Sequence, residues 1–463
     1  MTTNERKTIS LLSLSHFFCH VAILTFPAIL ILLKEKFHVS FATLGIIAGI
    51  YLFLFGAGSL PVGFIADKIN KNFLLKVYLI GMSLSAFLAA LSGNFYIFAV
   101  FIILMGLIGS IYHPVGLSIM SFVKTDKLRG FAIHGIAGTL GVALSAAFAG
   151  FLGYYYGYNA PYLVLGLIFL FIFVYSFFVK IESNKIENVN NRNNNLNNIN
   201  RNNTINNINS NNNRNNNSNN NININEINSN SDNNYENYSE SKNANLLANI
   251  KSFFNDFFHR NIVFIFIVEF LNGFVFQGVF SFLPAYTGIE LKNFLFFHNQ
   301  TVAAGSFYVT VALLVGVLFQ YSSTYITKRY KPNRVFSVLV LISGIFILIS
   351  GFTGGLILFL SILLFSAFDF SINPISNLLI SRNAKEYYRS TAYGIFFFAG
   401  FGIGSIAAPI GGSIASSFKL SDAFVFYGII ALISFVISIA ITNYNVDEVK
   451  SEFPAFRHEE YVK

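Results

Sequence analysis

The chain has 463 residues, of which 54% are hydrophobic and only 11% are charged, and its formal net charge is +9. A soluble domain carries about 25% charged residues, so this composition indicates a protein that crosses a membrane many times. The basic excess would also suit nucleic acid, but the positions of the charges favour membrane topology instead. The single cysteine, Cys19, excludes an internal disulfide and any metal site built from cysteines.

Apolar runs of about 20 residues, the length of a membrane helix, occur twelve times in the chain. They cover roughly 9–33, 40–66, 73–92, 94–123, 130–155, 160–180, 260–288, 299–327, 333–352, 355–381, 390–417 and 421–443. The first run is too long for the apolar core of a signal peptide, so we expect it to remain as a helix. The predicted fold class is an all-α membrane protein with 12 transmembrane helices in two pseudo-symmetric six-helix bundles.

A segment of opposite composition separates the sixth run from the seventh. About half of 184–245 is asparagine, and large apolar side chains are too few to offset the entropy of the chain. The sequence therefore predicts an N-terminal bundle at 1–180, a disordered Asn-rich linker at 181–258, a C-terminal bundle at 259–445 and a tail at 446–463.

The two flanks of the linker repeat one another. Pro114 and Arg129 are separated by 15 residues, as are Pro374 and Arg389, and both pairs are related by an offset of 260. An internal duplication in an apolar chain is typical of secondary transporters.

Basic residues are concentrated in the loops on one side of the predicted helices. They are Lys68, Lys71, Lys76, Lys124, Lys127, Arg129, Lys328, Arg329, Lys331, Arg334, Arg382, Lys385 and Arg389, whereas the opposite loops have Lys34, Lys36, Lys292 and Lys419. The richer side is predicted to be cytoplasmic. Both termini and the linker then lie in the cytoplasm, and the protein lies in the cell membrane.

Ionisable residues interrupt the apolar interiors of some helices, while every third helix has none. The residues are His16, His20, His113, His134, Glu269 and Asp369. A charge at the bilayer centre costs at least about 2.5–3.5 kcal/mol, so we expect these side chains to face protein or water.

The helix pattern, the long middle loop and one loop motif together resemble the major facilitator superfamily. The motif runs from Gly63 through Asp67, Lys68 and Asn70 to Lys71, with Lys68 and Asn70 standing where the family has Arg and Gly. The resemblance implies that the aspartate contacts a helix of the other half and helps to hold the outward-open state. The candidate gating residues are Asp67, Lys68, Lys71 and Arg129.

Three further segments resemble the fosmidomycin-resistance branch of that superfamily. They are Ser15-His16-Phe17-Phe18 with Pro27-Ala28, Tyr112-His113-Pro114, and Arg129-Gly130 with His134-Gly135. The chain departs from the branch at Cys19-His20, where an Asn-Asp pair is expected. The resemblance implies proton-driven efflux of small, often anionic, compounds.

The histidines allow more than one interpretation. His16 and His20 are four residues apart and share a helix face, which would suit a metal, but no third ligand is evident and separate hydrogen-bonded histidines are favoured. His113 either packs beside a proline bend or contacts substrate or protons at the cavity wall, and Asn373 is its repeat mate. His134 is predicted at a gate or cavity rim. We predict no metal site.

Two acids complete the candidate pathway. Glu269, with Gln277 eight residues further along the same helix, and Asp369 in the tenth helix could be structural, hydrogen-bonded acids. A carboxyl group inside a membrane is also suited to carrying a proton, and Asp369 is our first choice for that role. The glycines at 135, 138, 141, 400, 402 and 404, and the Pro409-Ile410-Gly411-Gly412 segment, are predicted to serve helix packing.

The sequence favours a secondary active transporter that moves a small solute by alternating access, with proton-coupled efflux by antiport preferred. Proton-coupled uptake by symport is the alternative within transport. A non-transporting receptor or scaffold that uses the Asn-rich arm is the alternative from another class. We predict no enzymatic activity, no cofactor and no nucleic-acid partner, and we expect a monomer that interacts with substrate, protons and lipid. A primary pump is disfavoured because no phosphate-binding loop of the GxxxxGK[ST] kind occurs.

Overall fold

The computed structural model describes residues 1–121, 123, 127–181, 260–295, 297–383 and 394–443, and the regular elements in these ranges are all helical. Eleven helices in this part of the chain are long and apolar enough to cross a membrane. A further apolar helix has 17 residues. The chain is therefore a multi-pass membrane protein, as predicted. The predicted linker and tail lie outside the described residues.

We label these helices in chain order. They are α1 Thr3–Ala28, α2 Phe41–Ala66, α3 Lys71–Ala90, α4 Phe95–Met120, α5 Arg129–Tyr156, α6 Ala160–Ser176, α7 Arg260–Leu291, α8 Thr301–Gln320, α9 Pro332–Phe352, α10 Gly355–Ile380, α11 Gly394–Ser417 and α12 Leu420–Ile441. The helical conformation continues beyond α8 to Arg329 and beyond α10 to Asn383.

Helix α1 begins earlier than its apolar run because of a capping box. The Thr2 backbone N–H donates to Glu5 Oε2 at 2.8 Å, and the Glu5 backbone N–H donates to Thr2 Oγ1 at 3.2 Å. Two orphan donors of the first turn are thereby satisfied, so the helix includes polar residues that hydropathy alone would leave out.

Hydrogen bonds between helix ends define two ends of the bundle. At one, Asn4 Nδ2 donates to the Lys180 carbonyl at 2.6 Å, and we call this the Asn4 end. At the other, the Tyr158 hydroxyl donates to the Ser92 carbonyl at 2.7 Å, and we call this the Tyr158 end. Because successive helices run in opposite directions, all of the helix termini lie at one of these two ends.

Proline and glycine interrupt some helices but not others. Helix α4 is broken at Ser110 and Ile111, just before Pro114, whose ring cannot be accommodated beside the carbonyl four residues earlier. The helix around Pro374 continues without a break from Gly355 to Asn383, so only the first of the two repeat-related prolines interrupts its helix.

Helix α11 contains an irregularity that the sequence did not predict. Its backbone forms a π-helical turn at Phe398–Gly402 and then a 3₁₀ turn at Ile403–Ile406 before the regular helix resumes at Ala407. Such π-turns widen the helix locally and often occur at functional sites.

Glycines bring α2 and α11 into backbone contact near the Tyr158 end. A Cβ atom placed on Gly45 would lie 2.5 Å from the Ala408 carbonyl oxygen, and one placed on Gly412 would meet the Phe41 carbonyl. The Ala42 N–H also donates to Ser416 Oγ at 2.8 Å. The predicted packing role of Gly412 is confirmed, and this end of the α2–α11 interface is closed.

Nearer the Asn4 end α2 still meets α11, because a Cβ on Gly394 would lie 3.6 Å from a methyl carbon of Leu60, but some glycines further along make no such contact. Gly63 lies five full turns beyond Gly45 on α2, but a Cβ placed there would meet no atom within 4 Å. Its neighbour Phe64 is 74% exposed. On α5, Gly150 packs against Ser306 of α8, whereas Gly135 meets no atom. The helices before and after the linker therefore contact one another from the Tyr158 end as far as Leu60 and Gly394.

Candidate functional site

Three helices bring four histidines into one cluster. His16 and His20 lie on one face of α1, His113 on the second segment of α4, and His134 on α5. The His16 ring stacks on His134 with centroids 4.2 Å apart, and it meets the His113 ring edge-on at 5.2 Å. The centroids of His20 and His113 are 5.4 Å apart. We call His16, His20 and His113 the histidine triad.

Hydrogen bonds fix the orientation of two imidazoles. His16 Nδ1 lies 2.8 Å from the His134 carbonyl oxygen, which can only accept, so Nδ1 carries the proton and Nε2 has a free lone pair. His20 Nε2 lies 3.2 Å from His16 Nε2 and donates to it. The two histidines that were expected to act separately are thus bonded to each other.

A tyrosine anchors the far side of the cluster. The Tyr112 hydroxyl donates to the Leu12 carbonyl of α1, and therefore accepts a hydrogen bond from His134 Nε2 at 3.0 Å. His134 is only 2% exposed, which places it inside the helix packing and not at a cavity rim. This corrects the rim position predicted for His134.

His113 has the least complete hydrogen bonding of the three histidines in the triad. Its Nε2 atom is buried and has no hydrogen-bond partner. Aromatic rings surround it, with Phe55 of α2 at 5.6 Å and Phe397 of α11 at 5.3 Å between centroids. Because Phe397 belongs to the helices after the linker, His113 lies where the two sets of helices meet.

Glycines allow α5 to approach α1 closely enough to build the cluster. A Cβ on Gly138 would overlap the His16 ring, and a Cβ on Gly141 would overlap the Phe17 backbone. The packing role predicted for these two glycines is confirmed, whereas Gly135 makes no such contact.

The two acids lie in a second buried group. Glu269 of α7 is 9% exposed and Asp369 of α10 is 8% exposed. Ser376 Oγ, on the same helix as Asp369, donates to Glu269 Oε2 at 3.5 Å. The Gly400 Cα in the π-turn of α11 leaves room for Glu269, since a Cβ there would lie 3.1 Å from Oε1. Gln277 Nε2 donates to the Phe401 carbonyl of the same turn at 3.4 Å.

Two other predicted residues are more exposed than the members of these groups. Asn373 and Arg129 are exposed, and Lys71 is partly exposed at the start of α3. The side chains of Asp67 and Lys68 lie outside the described residues. No sequence pattern predicted the contacts of Tyr112 and Phe397 or the π-turn of α11. The position of Tyr112 next to His113, in the Tyr112-His113-Pro114 segment, was the sequence feature that could have indicated a role for this tyrosine.

Comparison with solved structures shows the same fold in several transporters. The nucleoside transporter NupG matches with a TM-score of 0.68 and 13% identity, over 96% of this chain and 100% of that chain. A bacterial homologue of the human lysosomal transporter Spinster, inward-facing and unoccupied, matches at 0.70 and 13%, over 95% and 98%. A D-xylose–proton symporter matches at 0.67 and 11%, over 93% and 96%. No curated protein sequence matches this chain.

A bundle of apolar helices with ionisable groups buried inside it is the architecture of a membrane transporter. The family model described as Major Facilitator Superfamily matches residues 12–409. The chain therefore belongs to the major facilitator superfamily, which confirms that part of the sequence interpretation and points to a transporter, not an enzyme.

Proposed function

We propose that the protein is a proton-coupled secondary transporter that moves a small solute by alternating access, with antiport as its mode. The buried acid pair of Glu269 and Asp369 carries this proposal, because transport driven by protons needs a site that can gain and lose one inside the bundle. The backbone contacts that close the Tyr158 end support alternating access, since the substrate path would open at one end at a time.

We propose two six-helix bundles, at 1–180 and 259–445, joined by the linker at 181–258. Helix α6 then supplies the twelfth span, because its 17 residues rise about 25 Å, at the short limit for a membrane helix. The pseudo-symmetry of Pro114 and Pro374 supports this division.

The orientation follows from the basic loops. Lys71, Arg129 and Arg329 all lie at the Asn4 end, which we therefore assign to the cytoplasmic side of a cell-membrane protein. Asp67, Lys68, Lys71 and Arg129 act as the cytoplasmic gate, as the superfamily resemblance implies. The fosmidomycin-resistance resemblance supports a small anionic compound as substrate and efflux as direction.

In this mechanism, Asp369 and Glu269 take up a proton when the Tyr158 end is open and release it when the Asn4 end is open, so that protons move inward as substrate leaves. The π-turn of α11 contacts Glu269 through Gly400 and Gln277 through the Phe401 carbonyl, so a change in the turn would reach both side chains. Uptake by symport would use the same groups with substrate and proton moving together.

Transport in proteoliposomes tests the proposal against the receptor alternative. Purified protein is first screened by thermal shift against small anions, nucleosides, sugars and peptides, and stabilising compounds are then assayed with an imposed pH gradient. We expect uphill accumulation that a protonophore abolishes. Binding without any transport would favour a receptor, and accumulation unaffected by the protonophore would remove the proton from the mechanism.

The linker is expected to act as a tether whose composition does not matter. A Gly/Ser chain of roughly 30 residues spans about 30 Å, so replacing Asn190–Asn243 with one of half the length should leave expression and transport near the wild-type level. Membrane expression and the proteoliposome assay measure both. Loss of transport with normal insertion would show that the linker is a partner-binding arm.

A further inference from the structure

We propose that the histidine triad binds one divalent transition-metal ion. This inference concerns a different group of residues from the acid pair, and it does not depend on the proposed transport function. One ring nitrogen from each of His16, His20 and His113 lies within 4.8 Å of the other two. The third ligand that the sequence did not reveal is thus supplied by α4.

The spacing is close to that of a bound ion. Zinc–nitrogen bonds of about 2.0–2.1 Å at a tetrahedral angle place ligand nitrogens about 3.4 Å apart. The Nε2 atoms of His16 and His20 are already 3.2 Å apart. The His113 nitrogen lies within 4.8 Å of the other two, so it has to approach them by at most about 1.4 Å to reach this spacing.

The hydrogen bond on the second ring nitrogen of His16 is of the kind that usually orients a metal-ligating histidine. The His16 Nδ1–H donates to the His134 carbonyl, which fixes the tautomer with the Nε2 lone pair facing the triad. The His134 ring stacks on the other side, and Tyr112 anchors that ring in turn. These contacts orient the ligand before any ion arrives.

A bound ion would also satisfy the unpaired atom of the cluster. His113 Nε2 is buried without a hydrogen-bond partner, an arrangement that costs free energy unless another group or ion is bound. Metal binding requires that the proton on His20 Nε2 move to Nδ1 by tautomerisation, which frees the second lone pair. The hydrogen bond between His16 and His20 is then replaced by two bonds to the ion.

The donor set selects the class of ion. Three neutral imidazoles suit borderline ions such as Zn²⁺, Co²⁺, Ni²⁺ and Cu²⁺, whereas Mg²⁺ and Ca²⁺ prefer oxygen ligands. Three histidines leave a fourth position for water or for a donor atom of a bound compound. The aromatic rings of Phe55 and Phe397 line one side of the site with apolar surface.

Cobalt binding to the purified full-length protein, prepared without a polyhistidine tag, tests this site. We expect one Co²⁺ per chain by equilibrium dialysis and the intense visible absorption of a tetrahedral nitrogen site, with Zn²⁺ displacing the cobalt. His113→Ala and His16→Ala should each weaken binding by at least about tenfold. His38→Asn is the matched control, because His38 is exposed and has a φ of 53° that asparagine tolerates.

A second pair of variants probes the geometry without removing a ligand. Gly138→Ala should displace the His16 ring and weaken cobalt binding, whereas Gly135→Ala on the same helix should not. Unchanged binding in folded His16→Ala and His113→Ala proteins would overturn the proposal. Should those variants fail to fold, the wild-type protein decides, because a weak octahedral spectrum or no bound cobalt would equally exclude the site.

Discussion

Replacing Asp369 with asparagine is expected to abolish accumulation driven by a pH gradient while sparing exchange of substrate without a gradient. The amide keeps the shape of the side chain but cannot gain or lose a proton. The membrane voltage is worth about 2.3 kcal/mol per 100 mV for each proton moved, and this drive is lost when the carrier cannot release its proton. The assay compares gradient-driven uptake and counterflow in the same proteoliposomes.

Two further variants show whether the effect is specific. Ser371→Ala removes a hydroxyl from the same helix that donates only to the Ala367 carbonyl at 2.8 Å, so it should leave both activities unchanged. Glu269→Gln should weaken coupling if the two acids act as a pair. Survival of gradient-driven uptake in Asp369→Asn would assign the coupling to Glu269 or to another ion.

Adding a methyl group at Gly45 is expected to open the Tyr158 end. The new Cβ of Gly45→Ala would lie 2.5 Å from the Ala408 carbonyl oxygen and 3.2 Å from the Gly412 Cα, and these backbone atoms of α11 leave it no room. Overpacking of this kind costs about 1–3 kcal/mol, which corresponds to a shift of about 5–150-fold between two states. The closed state is penalised, so the state open at the Tyr158 end should gain population.

A single cysteine can report this opening. Ser145 is 2% exposed and lines a small cavity between α1, α5, α7 and α8, so a Ser145→Cys reporter should be protected when the end is closed. The native Cys19 is fully buried, so the reagent should not label it. Labelling by a membrane-impermeant thiol reagent, added on the proposed outer side, should be faster in Gly45→Ala.

The control lies one residue along the same helix. Ile46 is 48% exposed and faces away from α11, so Ile46→Ala should not change the labelling rate. Equal rates in Gly45→Ala and the parent protein would show that the α2–α11 contact does not hold the closed state.

The hydropathy of the chain by itself determined most of the fold. A membrane helix must satisfy its backbone internally and needs about 20 apolar residues, so each long run in the sequence had one available structure. The described helices follow those runs closely, and the main departure is the early start of α1, where the Thr2–Glu5 capping box outweighs hydropathy. The glycine packing of α5 on α1 could also be predicted from the sequence, because residues three apart share a helix face.

The candidate site was decided by tertiary structure. His16 and His20 could be paired from their spacing along α1, but His113 is 93 residues further along the chain, and no local pattern says which face of α4 meets α1. That meeting depends on the break before Pro114, while the close approach of α5 to α1 that Gly138 permits places His134 beside His16. The contact of Phe397 with His113 and of the π-turn with Glu269 depends on how helices from the two flanks pack together. Such contacts come from packing between distant segments, which hydropathy and helical periodicity do not encode.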